Sequence, residues 1–234
     1  MTHPLLPPGT NLGAWNLSVQ KKPIKAIYIR MHDGARQIRI SAPRGVDDNY
    51  LRGVVAKHLP RILQRISRPS SPLYAYEDGE DHWVDGQRAQ LAICRGTERV
   101  ELKAGILGVE VTDPRDKSRV KALLEAWYRA RLKKQAGIWV KKWEPVMGVS
   151  VGELRIRKMR TRWGSCNTGA KRIWLALVLG QMAPALQEYV LVHEMVHLLE
   201  PSHGPRFYKL MAAYLPEWAA LKKQINSEHK WNFF

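Results

Sequence analysis

Apolar and polar positions along the chain change period several times, and the changes divide it into elements. Residues 24–31 and 36–42 alternate apolar with polar, the period of two expected of strands with one buried face. His32-Asp33-Gly34-Ala35 lies between them, and an Asp-Gly pair there predicts a tight hairpin, because glycine adopts positive φ without strain. Pro43 closes the second strand. Asp47 and Asp48 offer caps to a helix over 49–66, whose Leu51, Val54, Val55, Leu59, Ile62 and Ile66 share one side. Pro60 falls inside that helix and predicts a kink or break. Ser67 to Pro72 reads as a loop, and short strands follow at 82–84, 89–94, 100–103 and 107–111. From Arg115 to Gln135 the period becomes helical: Val120, Leu123, Leu124, Trp127, Tyr128 and Leu132 form one buried stripe, opposite a strongly basic face. Residues 154–159 and 172–178 read as strands around a turn region at 164–169. Pro184 then opens another helix at the position where its missing N–H costs nothing.

The pattern predicts an α+β protein. A β-rich N-terminal lobe with one helix would occupy 17–112, and a second domain 113–228, with a short sheet, a long helix, the helix opened by Pro184 and C-terminal helices. Residues 1–16 form an N-terminal extension and 229–234 an aromatic tail.

Composition narrows this only slightly. With 234 residues, 45% of them hydrophobic, the chain can bury a sizeable core without disulfide staples. Cys94 and Cys166 are far apart and form no CxxC pair, which suits a reducing compartment. No apolar run reaches membrane-spanning length, and Met1 to Trp15 lacks the apolar core of a signal peptide, so a cytoplasmic protein that does not enter the membrane is expected. The charge is more informative. Lys and Arg total 38 against 21 Asp and Glu, a net +17 that attracts nucleic acid, nucleotides or acidic proteins. No RNP, zinc-finger or helix-turn-helix pattern accompanies it, so a generally basic surface is the competing explanation.

The helix after Pro184 carries the chemistry. It contains His193-Glu194-Met195-Val196-His197, an HExxH pattern. Residues four apart on a helix project about 40° apart around the axis, so His193 and His197 can share one divalent cation. Glu194 then stands beside the metal's open side, placed to take a proton from its water without being a ligand. A tightly held zinc needs a third protein ligand. His203, six residues after His197 and beyond the helix-ending Pro201, is favoured; Glu217, Glu200 and His229 remain alternatives. The His197–His203 separation equals that of the HExxHxxGxxH proteases, but Glu200 stands where their glycine would be.

Thr161-Arg162-Trp163-Gly164-Ser165-Cys166, the strand from Arg172, His193-Glu-Met-Val-His197 and Pro201-Ser-His203 together resemble the YgjP-like metallopeptidase family, itself similar to the WLM, SprT-like and minimal gluzincin-type peptidases. The resemblance is strongest over 155–218 and extends weakly back to the 24–42 hairpin. It implies a zincin-like domain over 113–228, one zinc on His193, His197 and His203, and Glu194 as catalytic base. It also implies that the Arg-Trp-Gly-Ser-Cys block faces the active-site cleft from the sheet edge. Read alone, Trp163 is a packing residue, Gly164 a turn residue and Arg162 an ion-pair partner or anion contact; Cys166 is not expected to act as nucleophile or ligand.

Peptide-bond hydrolysis is the function expected first, with a peptide or protein substrate that an edge strand could bind by strand addition. Arg206, Tyr208 and Arg162 are candidates for stabilising the oxyanion. Nucleoside triphosphate pyrophosphatase action on the same metal is the runner-up, using the basic cluster Arg155, Arg157, Lys158, Arg160 and Arg162, although no P-loop is present. A DNA-associated protease is a third reading. Oligomeric state is not legible.

Overall fold

The computed structural model describes residues 4–32, 36–66, 74–159 and 161–227. The Asp33-Gly34 turn, the Ser67–Pro72 loop, Arg160, His229 and the Trp231–Phe234 tail lie outside these described residues. Two compact units result, Met1–Ser71 and Pro72–Phe234.

The first unit contains strands β1 (Asn16–Lys22), β2 (Tyr28–His32) and β3 (Gln37–Pro43) and helix α1 (Asp48–Ile66). β3 is central, parallel to β1 and antiparallel to β2, as the alternating pattern required of the latter pair. Its Ile38, Ile40 and Ala42 are fully buried against Leu51, Val55 and Ile62 of α1. The Asp47 carboxylate accepts from the N–H groups of Asn49 and Tyr50, capping α1. The helix runs on through Pro60 without the expected break. Two further features depart from expectation. β1 was not anticipated, because only Leu17 and Val19 mark its apolar face. Leu5, Leu6 and Leu12 belong to this core, so the N-terminal extension is part of the unit and not an appendage.

The second unit holds a four-stranded sheet in the order β4-β5-β7-β6, formed by β4 (Asp81–Val84), β5 (Gln87–Arg95), β6 (Arg99–Lys103) and β7 (Ile106–Val111). Helix α2 (Lys117–Met147) follows, capped by the Asp116 carboxylate on the Arg119 N–H and ended by Gly148 in the left-handed conformation. It exceeds the predicted span by twelve residues, since Trp139, Trp143 and Met147 continue its buried stripe past Gly137. The small sheet β8-β10-β9 comprises β8 (Glu153–Arg157), β9 (Gly164–Asn167) and β10 (Arg172–Ala176). A 3-10 turn over Leu177–Gln181 replaces the expected end of the last strand. Helices α3 (Pro184–Val196), α4 (Pro205–Tyr214) and α5 (Trp218–Ser227) complete the chain.

The four-stranded sheet shares one core with these helices, so the division falls after Ser71 and not near Thr112. The Asp85-Gly86 turn shows why. Asp85 and Gly86 donate backbone N–H groups to the carbonyls of Gly180 and Gln181, and the Asp85 carboxylate accepts from Gln187 on α3. Gly86 is at φ +80°, and a Cβ there would lie 2.9 Å from the Ala183 nitrogen, so only glycine allows the approach. The Tyr128 hydroxyl donates to the Trp83 carbonyl at 2.7 Å, tying α2 to β4.

His82 on β4 is buried in this core, stacked on Tyr74 at 3.9 Å, with Nε2 3.2 Å from the Glu80 carboxylate. Burial holds its pKa below the usual histidine value, against the pull of Glu80. The unfolded chain therefore binds a proton near pH 6.5 that the folded chain refuses, and stability falls as pH drops below that value. Wild type should lose more melting temperature than His82→Phe between pH 7.5 and 5; equal losses in a thermal-melt series would remove His82 as a cause.

Candidate active site

α3 is apolar almost all round. Leu186, Val190, Leu191, Val192, Met195 and Val196 are buried, as befits a helix enclosed by the rest of its unit. It packs against β9, β10, α2, α4 and α5. His193 lies in its last turn, and His197 is the residue that ends it, still in helical conformation at φ −61° and ψ −22°. The i, i+4 relation of the two imidazoles is thereby kept. Pro201 and Gly204 take the chain round to α4, and His203 returns over the helix end.

The three imidazoles converge, with one nitrogen from each within 4.8 Å of the others. His193 Nε2 and His203 Nε2 are 3.0 Å apart. His197 Nδ1 lies 3.2 Å from the Glu200 carbonyl oxygen, to which it donates in the tautomer that leaves Nε2 free as a ligand. Phe207 on α4 is fully buried and sits 4.7–4.9 Å, ring to ring, from all three histidines. Burial pushes the His193 pKa down to about 3, helped by His197 and His203, and lowers that of His197 as well. Three imidazoles aimed at one point, with His193 and His197 held below the usual histidine pKa, form a donor set for a divalent metal. Tetrahedral zinc with bonds of about 2.0 Å needs nitrogens roughly 3.3 Å apart, close to the 3.0 Å between His193 Nε2 and His203 Nε2.

Glu194 is 6% exposed. Burial raises its pKa to about 8, opposed by the nearby Arg162 guanidinium. Its carboxylate lies directly over β9: a Cβ built on Gly164 would stand 2.7 Å from Glu194 Oε1 and 2.8 Å from its Cγ. Gly164 had been read as a turn residue. It is instead the first residue of an edge strand, paired with Leu175 and left bare so that the carboxylate can lie against it.

Around these groups is a cleft of about 600 Å³, lined by β9 and its lead-in, α3, His203 and one face of α5. The Arg-Trp-Gly-Ser-Cys block does line it, from Arg162 to Cys166. The Cys166 thiol is pushed up to about 11, chiefly by burial, and remains a thiol. The other third-ligand candidates do not join the histidines among the described residues. The Glu200 carboxylate is taken up by the Ser202 N–H and hydroxyl, while Glu217 lies at the start of α5 away from the cluster. Of the oxyanion candidates, only Arg162 lines the cleft. Within the basic cluster, Arg155 pairs with Glu153 and Lys158 with Glu125, Arg157 lies over the Trp174 ring, and Arg162 lines the cleft. Phe207, Tyr189 and Lys222 belong to the site without any local sequence signal for it.

The model of the YgjP-like metallopeptidase domain matches residues 25–228. The chain belongs to the YgjP-like metallopeptidase family. Membership makes it a peptidase-type hydrolase, implies a metal ion and a peptide or protein substrate, and covers nearly all of the second unit together with most of the first. Among solved structures, the metallopeptidase zymogen of Pyrococcus abyssi abylysin shares 17% identity with a TM-score of 0.38, over 42% of this chain and 99% of that one. At that distance the likeness says nothing about this site. No curated protein sequence matches. No helix among the described residues is long and apolar enough to cross a membrane.

Proposed function

We propose that this YgjP-like protein is a zinc-dependent peptidase in which His193, His197 and His203 hold the metal and Glu194 is the general base. The observation that carries the reading is the convergence of three imidazole nitrogens beside a buried carboxylate, in one open cleft. Three ligands without a fourth are the mark of a catalytic zinc site and not a closed structural one. Zinc bound there supplies Lewis acidity to the attacking water and the scissile carbonyl.

The protein's own groups do the remainder. The Glu200 carbonyl fixes the tautomer of His197, and Phe207 closes the space beneath the three rings so that they cannot swing apart. Glu194 accepts the proton of the attacking water on its carboxylate and passes it to the leaving nitrogen. Among the described residues β9 is paired only with β10, so its outer edge can take an extended peptide as an added strand.

Metal analysis by mass spectrometry tests the assignment. Wild type should carry about one zinc per chain; His193→Ala, His197→Ala and His203→Ala should carry almost none, and Glu217→Ala should match wild type. Wild-type protein that purifies without metal and takes up no added zinc would refute it.

A further inference from the structure

Resting on that peptidase reading, we propose that Lys222 and Arg162 form a carboxylate-recognition site in the cleft, so that the preferred substrates are peptides carrying an acidic group beside the scissile bond. Charge balance in the cleft is the starting point. Among the described residues that line it, Glu194 is the only carboxylate, against the cations Arg162 and Lys222.

Lys222 is also held in place. Lys222 Nζ lies 5.1 Å from the ring centre of Tyr208 and 5.6 Å from that of Trp218. Those rings stack on each other at 5.1 Å, and Tyr208 stacks in turn on His203 at 6.5 Å. The ammonium is thus parked on an aromatic shelf continuous with the histidine cluster, where an ordinary surface lysine would sweep through water. Arg162 immediately precedes the Trp163-Gly164 segment and lines the same cleft as Lys222. The neighbouring cations behave differently, since Arg155, Lys158 and Arg172 are all engaged by carboxylates on their own faces.

A carboxylate matches this pair better than a polyphosphate does. Two single cations from separate elements supply a point charge and a planar fork, whereas a phosphate chain calls for a glycine-rich cradle of backbone N–H groups that the cleft lacks among its described residues. The acidic group can be an Asp or Glu side chain or the free carboxyl end of the substrate. Both present the same chemistry.

Binding to zinc-loaded Glu194→Gln, which keeps the buried shape without the base, reads recognition apart from turnover. Fluorescently labelled peptides with Glu, Gln or Lys at one position, each with a free or amidated C-terminus, would be titrated at two salt concentrations. The Glu or free-carboxyl peptides should bind about tenfold tighter than their neutral partners, and Lys222→Met in the same background should remove most of that margin. Lys222→Arg should restore part of it, and Arg162→Gln should reduce the remainder. Dependence on the side chain or on the terminus identifies which carboxylate is read. Equal binding of Glu, Gln and Lys peptides, a margin untouched by both substitutions, or stronger competition by a nucleoside triphosphate than by the acidic peptide overturns the proposal. Failure of the peptidase reading would show separately, as acidic peptides that bind wild type through Lys222 and are never cleaved.

Discussion

Glu194→Gln should abolish peptide cleavage, lowering kcat by about 10³- to 10⁴-fold, while leaving the metal in place. A positioned general base contributes roughly that much to proton transfer, and the amide can neither accept the water's proton nor deliver it to nitrogen. Gln is nearly isosteric with Glu, so the packing against Gly164 is kept and substrate affinity should change little. A second readout separates loss of the base from loss of the fold. Without metal, burial raises the Glu194 pKa from 4.5 to about 8, so the folded chain holds a proton that the unfolded chain releases. The stability linked to that proton is fully present below pH 4.5 and is lost as pH rises toward 8. Metal-free Glu194→Gln should therefore melt above metal-free wild type at pH 8 and beside it at pH 4.5. Activity within tenfold of wild type would show that another group moves the proton.

Gly164→Ala should cost about 10²-fold in kcat and about 1–3 kcal/mol in stability, although it adds one methyl group. The new Cβ would meet Glu194 Oε1 at 2.7 Å, Cγ at 2.8 Å and Cδ at 3.0 Å. The backbone at Gly164 is not in the left-handed region, so the penalty is one of space and falls on the Glu194 carboxylate. Glu194 is enclosed and can retreat only by turning its carboxylate away, and a misplacement of about 1 Å is enough for the loss predicted. Gly108→Ala is the control. It lies on β7, where a Cβ would find nothing nearer than the Glu101 carbonyl at 3.7 Å. Peptide turnover and chemical denaturation of the two variants side by side decide the matter; similar small effects at both positions would mean that Gly164 is an ordinary strand residue.

Together these outcomes would distinguish two roles that share one cleft. The histidines and Glu194 concern the reacting atoms, and Gly164 concerns where one of those atoms can sit. Lys222 and Arg162 would then govern which peptides arrive, visible in affinity and its salt dependence more than in kcat.

Much of this was legible along the chain because it depends on short-range spacing. HExxH places two imidazoles on one helical face wherever that helix lies, and Pro184 marks its start without reference to any neighbour. The hydrophobic periods likewise located α2, β3 and most strands of the four-stranded sheet. The misreadings share a different cause. β1 carries too few apolar residues to announce itself, and it exists because β3 offers it a partner edge. α2 continues through Gly137 because Trp139 and Trp143 find a core to enter, which outweighs the glycine's propensity cost. The unit boundary lies at Ser71 because the Asp85-Gly86 turn bonds to residues a hundred positions later. The meeting of His203 with His193 and Phe207, the bare glycine beneath Glu194 and the cation parked on Tyr208 and Trp218 likewise depend on separate elements meeting in space. Periodicity reports which face of an element is buried, and only packing reports what it is buried against.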